Sequence, residues 1–498
     1  LDRPADIVGG YATVTGMAST EPDTPSDLHP EGVAPKAGGT TPTEARLAAL
    51  GVRIPDVLLP ADGVALETWA VVACDQFTSQ PDYWSAVEAT VGDAPSTLRL
   101  VLPEVYLGRT DTEDRIAGIN TAMADYLGSG LFTTLPDTLV LVRRTTGTGT
   151  IRWGLVIALD LDHYDWSPDS RTLIRATEGT IPERVAQRAA IRRGAVLEVP
   201  HTMVLLSDPG RTVIEPLAQR YAATAPLYDV TLMAGGGQVT GWAISDPADH
   251  DGLADALGAL RDDLDPANPV LFVMGDGNHS FASAKQRWDD VKPSVPEPER
   301  ATHPARYSLV ELENVHDPGL TFEPIHRVLF GISHERVAQA LATHTQSYAA
   351  APVPDAVVAT QVLESEDAAA GPRFGVVDPD GTWVVTASGG AELAVAIVQA
   401  IVDDLVAEGI EVDYIHGADV AADLGSQPGN LALLLASLDK DLLFTHITYG
   451  NPRTTSALES LNAQIRDLLR HHRGMTEEHR RRAVEWFLTL HELPTEQA

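Results

Sequence analysis

The chain has 498 residues, with 70 acidic against 35 basic side chains and a formal net charge of −35, so its average field repels nucleic-acid phosphate and anionic membrane surfaces. Neither is expected as a partner, and the acidity reads as a solvated surface that favours solubility. One cysteine, Cys74, excludes an internal disulfide and a cysteine zinc cluster and fits a reducing, cytoplasmic setting, while no stretch approaches the roughly 18 apolar residues of a membrane helix.

Residues 1–44 are rich in Pro, Gly, Thr, Ser and Asp and are expected to form a disordered tail, because they cannot bury enough apolar surface to offset ordering entropy. Met17, followed by a polar stretch, is the expected native start, with residues 1–16 a start-site artefact. Three modules should follow: an N-terminal α/β module over 45–248, a central module over 249–348, and a C-terminal α/β module over 349–498 ending in a basic helical tail. Cys74 closes the apolar run Ala70–Cys74 and reads as a small buried hydrophobe. Val101-Leu102, Leu139 to Val142 and Ile151 to Leu159 read as buried strands, with a helix over Asp111 to Leu127. Pro182 suits the first turn of a helix running to about Arg193; Val196 to Leu206 looks extended and Arg211 to Ala223 helical. Leu227 to Met233 and Val239 to Ile244 form a hairpin around Gly235-Gly236-Gly237. Val291 to Pro304 reads as a loop and Ala349 to Pro354 as a break, before a hairpin turning at Asp380-Gly381. Ala391 to Glu408 is a helix that Gly409 stops, and Met475 to Leu488 is a basic helix. The fold class is α/β or α+β, with mixed sheets and helices in several modules.

The chemistry centres on one turn. Val270 to Met274 is an apolar run and so a buried strand, and Phe281, Ala284 and Trp288 recur at helical spacing. Between them lies Gly275-Asp276-Gly277-Asn278-His279-Ser280. Two glycines permit unusual backbone angles and close approach of a ligand, and the following helix offers amide hydrogens at its positive end. A phosphate or carboxylate suits that geometry. Asp276 is placed to hold a divalent cation or accept a proton, His279 to donate to an anion or move a proton, and Lys285 to reach back toward the same anion. The plainer alternative is ordinary turn chemistry, with Asn278 capping the helix. Neither nucleotide-loop fingerprint, nor a zinc-protease helix, nor a hydrolase nucleophile elbow is present.

These residues, with Ala284-Lys285 and Asn314-Val315-His316-Asp317-Pro318-Gly319-Leu320, resemble the bacterial and archaeal DUF1015 family, a domain of unknown function. Ala73-Cys74-Asp75-Gln76-Phe77-Thr78-Ser79-Gln80-Pro81, Ile174 to Thr180, Pro324-Ile325-His326-Arg327 and Asp413 to Gly417 extend the resemblance along most of the chain. The common family motif reads Ala-Asp-Gly-His-His-Arg, so Asp276, Gly277 and His279 carry over, whereas Asn278 and Ser280 replace a histidine and the arginine. That motif is similar to one in serine kinases of the ParB/sulfiredoxin-like class, where it handles nucleotide phosphates. Without the arginine, a phosphoryl-transfer site needs another cation, and Lys285, Arg327 and Lys440 are candidates. Glu178 and Arg184 match family positions, as a structural ion pair or as charges in a cleft. His201 reads as a core histidine. His316-Asp317 and His326-Arg327 are candidates to converge on the turn, and His416 belongs to a further loop signature.

The family has no settled reaction to carry over, and the leading expectation from the turn residues is an enzyme acting on a small anionic metabolite, most concretely by phosphoryl transfer to or from a serine-like acceptor. Asp276 would hold magnesium, the turn amides with Lys285 or Arg327 would hold the anion of a nucleotide or metabolite, and His279 or Glu178 would move the acceptor proton. A non-catalytic small-molecule sensor or scaffold, and a metal-assisted phosphatase or hydrolase, are the alternatives.

Overall fold

The computed structural model describes residues 15–16, 41–437 and 444, except 78–79, 148, 168–169, 178–179, 181, 321–323, 366–370 and 390–393. Glu178, Lys440, the basic tail from Met475 and most of the stretch expected to be a disordered tail lie outside these residues. Thr15–Gly16 pairs with Leu197–Glu198. Residues 41–44 are ordered: the Thr41 hydroxyl accepts from Glu44 N, the Glu44 carboxylate accepts from Thr41 N, and this reciprocal cap starts the helix Pro42–Ala49.

The chain divides into two compact units, residues 2–320 and 321–498. No boundary falls near residue 248. The strand Phe272–Asp276, placed by sequence in a module of its own, pairs antiparallel with Met203–Leu206 and parallel with Ile174–Arg175. Backbone pairing with strands far earlier in the chain is what fuses the first two expected modules.

In the first unit a ten-stranded mixed sheet, counted among the described residues, runs in the order Tyr228–Thr231, Gln238–Ile244, Leu139–Thr145, Ile151–Asp160, Tyr307–Asn314, Met203–Leu206, Phe272–Asp276, Ile174–Arg175 and Tyr164–Asp165, with Val52–Arg53 added beside Ile151–Asp160. One face carries Leu155, Ile157, Val204, Phe272, Met274 and Leu312, which pack with Phe281, Ala284 and Trp288 of the helix Asn278–Val291 and with Leu253 and Leu257 of Pro247–Asp262. A large apolar side chain fully buried in this way contributes about 1.5–3 kcal/mol. Strand alternation turns Val140, Val142, Arg144, Arg152 and Val156 to the other face, where the segment from Val72 to Phe77 lies against Arg144 and Arg152.

In the first unit three local expectations change. Val101-Leu102 is not a strand but part of an irregular segment, with Leu102 buried all the same. Val196 to Leu206 is extended in two pieces, Leu197–Glu198 and Met203–Leu206, because Pro200 has no N–H for a ladder. Val291 to Pro304 contains a 3₁₀ turn and the short helix Glu297–Arg300.

The second unit is a six-stranded antiparallel sheet among the described residues, in the order Ser347–Val353, Gly381–Ser388, Arg373–Asp378, Asn430–Leu434, Ile325–Phe330 and Glu411–His416. Leu329, Val376, Val385, Leu431 and Leu433 face the helices His334–His344 and Ala394–Ala407, while Val328, Val377, Val384 and Ala432 face Ala356–Leu363 and Ala418–Gly425. Both faces of the inner strands are covered, which is why Asn430–Leu434 is buried along most of its length. The expected break at Ala349 to Pro354 is instead mostly the strand Ser347–Val353; it is outermost and exposed, so it lacks a hydrophobic pattern.

Candidate active site

The strand Phe272–Asp276 and the helix Asn278–Val291 meet at Gly277, which has a φ of +80°. A side chain there would also press on Thr202, 3.0 Å from Oγ1 and 3.2 Å from Cα, so glycine is required on two counts. Gly275 lies as close to Leu205 and Met203. Residues 275–277 are half-buried, and Asn278, His279 and Ser280 are buried. Asn278 does not cap the helix. Its Oδ1 accepts from Thr177 N at 3.0 Å and its Nδ2 donates to Thr177 Oγ1 at 3.1 Å, while that hydroxyl donates to Met274 O. The asparagine thus pins the preceding loop to the turn. Ser283 Oγ lies 2.5 Å from His279 O and 3.1 Å from Val185 O, tying this helix to Pro182–Arg192. Asp276 Oδ1 accepts from Gly277 N at 2.7 Å, so one amide expected to face an anion already has an acceptor.

The register that sets Met203 opposite Asp276 also brings His201 and Thr202 to this end of the sheet. His201 Nε2 is 4.0 Å from Asp75 Oδ2. Burial, with Arg192 adding to it, pushes the imidazole down to about 4, against the pull of Glu104, Asp276 and Glu198. It is therefore neutral near pH 7. Burial, then Asp75 and Glu104, hold the Cys74 thiol well above its usual range, so it is no ready nucleophile. Glu104 accepts from Arg188 Nε at 2.9 Å, and its backbone N donates to Cys74 O at 2.8 Å. Arg184 precedes Arg188 by one helical turn, and its carbonyl accepts from Arg188 Nη1. A cavity of about 10 Å³, lined by Cys74, Thr97, Pro200 and His201 among others, sits at this junction. It has room for about one water, so entry of a metabolite requires its walls to move apart.

Residues 58–405 match the profile of the family described as Protein of unknown function (DUF1015). The chain belongs to the DUF1015 family. No curated protein matches it. Solved structures similar to this DUF1015 chain include a free serine kinase in complex with AMP, at 12% identity over 59% of this chain and 82% of that one, with a TM-score of 0.30. A conserved hypothetical protein from Pyrococcus furiosus is similar at 11% identity over 59% and 85%, with a TM-score of 0.29.

Within the DUF1015 chain, the turn, Arg184, Cys74 and His201 fall in the first unit. Lys285 does not reach back: Nζ pairs with Asp289 Oδ1 at 2.7 Å, toward the far end of its helix. His316 lies beyond Asn314 and contacts Ser207 Oγ at 3.1 Å, past the end of Met203–Leu206 remote from Asp276, so it does not converge on the turn. His326 and Arg327 belong to the second unit. His326 Nδ1 accepts from Leu435 N, and the buried Arg327 donates to Ile325 O and Gln399 Oε1 and lies over the Tyr414 ring. His416 pairs through its backbone with Ile325. Sequence reasoning gave no site role to Asp75, Glu104 or Arg188. The family-like stretch Ala73–Pro81 signalled the first, the spacing of Arg188 from Arg184 signalled the third, and nothing marked Glu104.

Among the described residues no group of three or more His, Cys, Asp or Glu side chains is arranged to hold a metal. Magnesium seldom needs such a cage, since one or two carboxylates with substrate phosphates and water suffice. Among the described residues no helix is long and apolar enough to cross a membrane.

Proposed function

We propose that the first unit is an enzyme of small-metabolite phosphoryl transfer, with a serine-like hydroxyl as acceptor and its reacting centre where Asp276, His201 and Asp75 meet. What carries this is the placement of a buried, neutral imidazole 4.0 Å from one carboxylate and under the charge of another, beside the opening of a helix. Asp276 would hold magnesium together with phosphate oxygens and water, and the magnesium would neutralise charge on the transferred group. The amides that open the helix Asn278–Val291, with Arg184, would hold the anion of the nucleotide or metabolite. His201, with Asp75 4.0 Å from its Nε2, would take the acceptor proton. His279, buried in the first turn, would position the helix opening.

The test combines thermal shift with ATP, ADP, serine and phosphoserine, with and without magnesium, and turnover followed by phosphorus NMR. A nucleotide at 100 times its Kd should stabilise by about 2.7 kcal/mol, and His201→Gln and Asp276→Asn should lose turnover while keeping that stabilisation. If none of the four compounds shifts the melting temperature at millimolar levels, nucleotide-dependent transfer is wrong. A ligand sensor, the second reading, would show stabilisation without turnover. Phosphate released without a nucleotide would instead select the hydrolase.

A further inference from the structure

The described residues of 57–135 form a body of their own within the first unit. Val57–Pro60 pairs with Phe132–Leu135 in a two-stranded sheet apart from the main one. Trp69 packs on Tyr126 and Phe132, its carbonyl accepts from Ser96 Oγ and Thr97 Oγ1, and Ser96 N donates to the Tyr126 hydroxyl. Val71, Val72, Trp84, Val87, Val91 and Leu98 form a small apolar cluster separate from the core of the main sheet. The chain enters and leaves this body beside a single main-sheet strand, because Val52–Arg53 and Leu139–Thr145 both pair with Ile151–Asp160. The two crossings are tied together: Thr138 N donates to Pro55 O at 3.0 Å and Asp137 N to Asp56 Oδ1 at 2.9 Å. Asp137 has a left-handed φ of +47°. Short connections of this kind absorb the backbone rotation when one body swings on another.

The seam between this body and the main sheet is marked by two narrow cavities. The one of about 10 Å³ has Cys74 and Thr97 on one wall and Pro200 and His201 on the other. A second, of about 20 Å³, lies between Gln76 and Phe77 on one side and Arg144 and Arg152 of the sheet on the other. Contacts that mix charged and apolar groups are those across which bodies move, since water solvates the parted surfaces. The helix Pro182–Arg192 spans the seam, and two of its arginines, a turn apart, each hold one side. Arg192 Nη1 donates to Glu198 Oε1 at 2.8 Å, and Glu198 is fixed to the main sheet by Ser308 Oγ at 2.9 Å and Leu309 N at 3.1 Å. Arg188 reaches the other side, where Glu104 accepts from its Nε at 2.9 Å and from its Nη2, and where Glu104 N donates to Cys74 O. Neither side chain of that pair is more than 15% exposed.

We propose that residues 57–135 are a hinged cap on the first unit, turning at Pro55–Asp56 and Asp137–Thr138, with Glu104–Arg188 as the latch that closes it over His201. Opening parts Cys74 and Asp75 from His201 and Asp276, and gives a metabolite the way in that the closed cavity denies. The identity of that metabolite rests on the reading proposed above, whereas the motion does not. Cys74, the one cysteine of the chain, reports the motion. Its rate of reaction with dithiodipyridine, an uncharged aromatic disulfide too large for the closed cavity, would be followed on the full chain. Arg188→Gln should react about tenfold faster or more. Charge alone predicts the reverse: burial foremost raises the Cys74 thiol and Arg188 opposes that rise, so losing Arg188 without opening slows the reaction. The amides of the helices Pro81–Val91 and Thr112–Gly128 should keep their protection from hydrogen exchange, since the cap moves as a body. Arg46→Gln, which removes the pairs with Asp251 and Asp255 on the opposite face of the sheet, should leave the rate unchanged. If Arg188→Gln does not fold, Arg188→Lys, which keeps the charge and loses the fork, should react about threefold faster or more. An unchanged rate in the folded variant, or faster labelling together with lost protection in both helices, overturns the cap. Failure of nucleotides to bind would sink the transfer chemistry and leave the labelling result standing.

Discussion

Glu313 and His201 are buried titratable groups whose shifts have opposite consequences for stability. The Glu313 carboxyl is raised from an ordinary 4.5 to about 8, so between those values the folded chain holds a proton that the unfolded chain has released. Its contribution is complete below about 4.5 and is lost as pH rises through about 8. His201 is lowered from 6.5 to about 4, so its contribution is present above 6.5 and is lost as pH falls through about 4. Urea melts at pH 4, 5.5, 7 and 9 should therefore show Glu313→Gln flattening the decline on the alkaline side and His201→Gln flattening it on the acid side. Unchanged slopes in both variants would contradict these assignments. Burial of His201 was legible from Pro200 and the apolar residues after it. Its approach to Asp75 was not, because only the folded sheet brings the two together.

The strand, turn and helix around Asp276 were legible as a unit, since the apolar run before the glycines and the spacing of Phe281, Ala284 and Trp288 each specify one element. The partner of Asn278 was hidden. A capping role and a cross-loop bridge require the same residue type, and only the position of Thr177 decides between them. Asn278→Ala leaves the buried Thr177 amide without its acceptor and should cost about 1–3 kcal/mol in denaturant melts. A capping asparagine would be replaced at about 1 kcal/mol with no effect on the loop at Thr177, so amide hydrogen exchange at that position separates the two. The strand Ser347–Val353 escaped notice for a different reason: an edge strand exposed along its length has no inside and outside to alternate.

At the scale of the molecule, sequence patterns identify elements more readily than the sheets they join. Met203–Leu206 and Phe272–Asp276 pair across a hairpin and two helices, so a boundary placed between them cuts a sheet. Each unit instead closes its own core. Residues 41–320 and 321–437, produced separately, should each give native-like circular dichroism and a cooperative melt; a fragment that remains unfolded would show that the division is not energetic. The outermost strand of the second unit has a further consequence. It presents a ladder of backbone groups to solvent, interrupted at Pro352, which has no N–H to offer. At neutral pH the net charge of −35 keeps copies of the chain apart. Mild acid neutralises the carboxylates and removes that repulsion while leaving the ladder intact, so colloidal stability should fail there through strand-to-strand addition between molecules, before either core has melted.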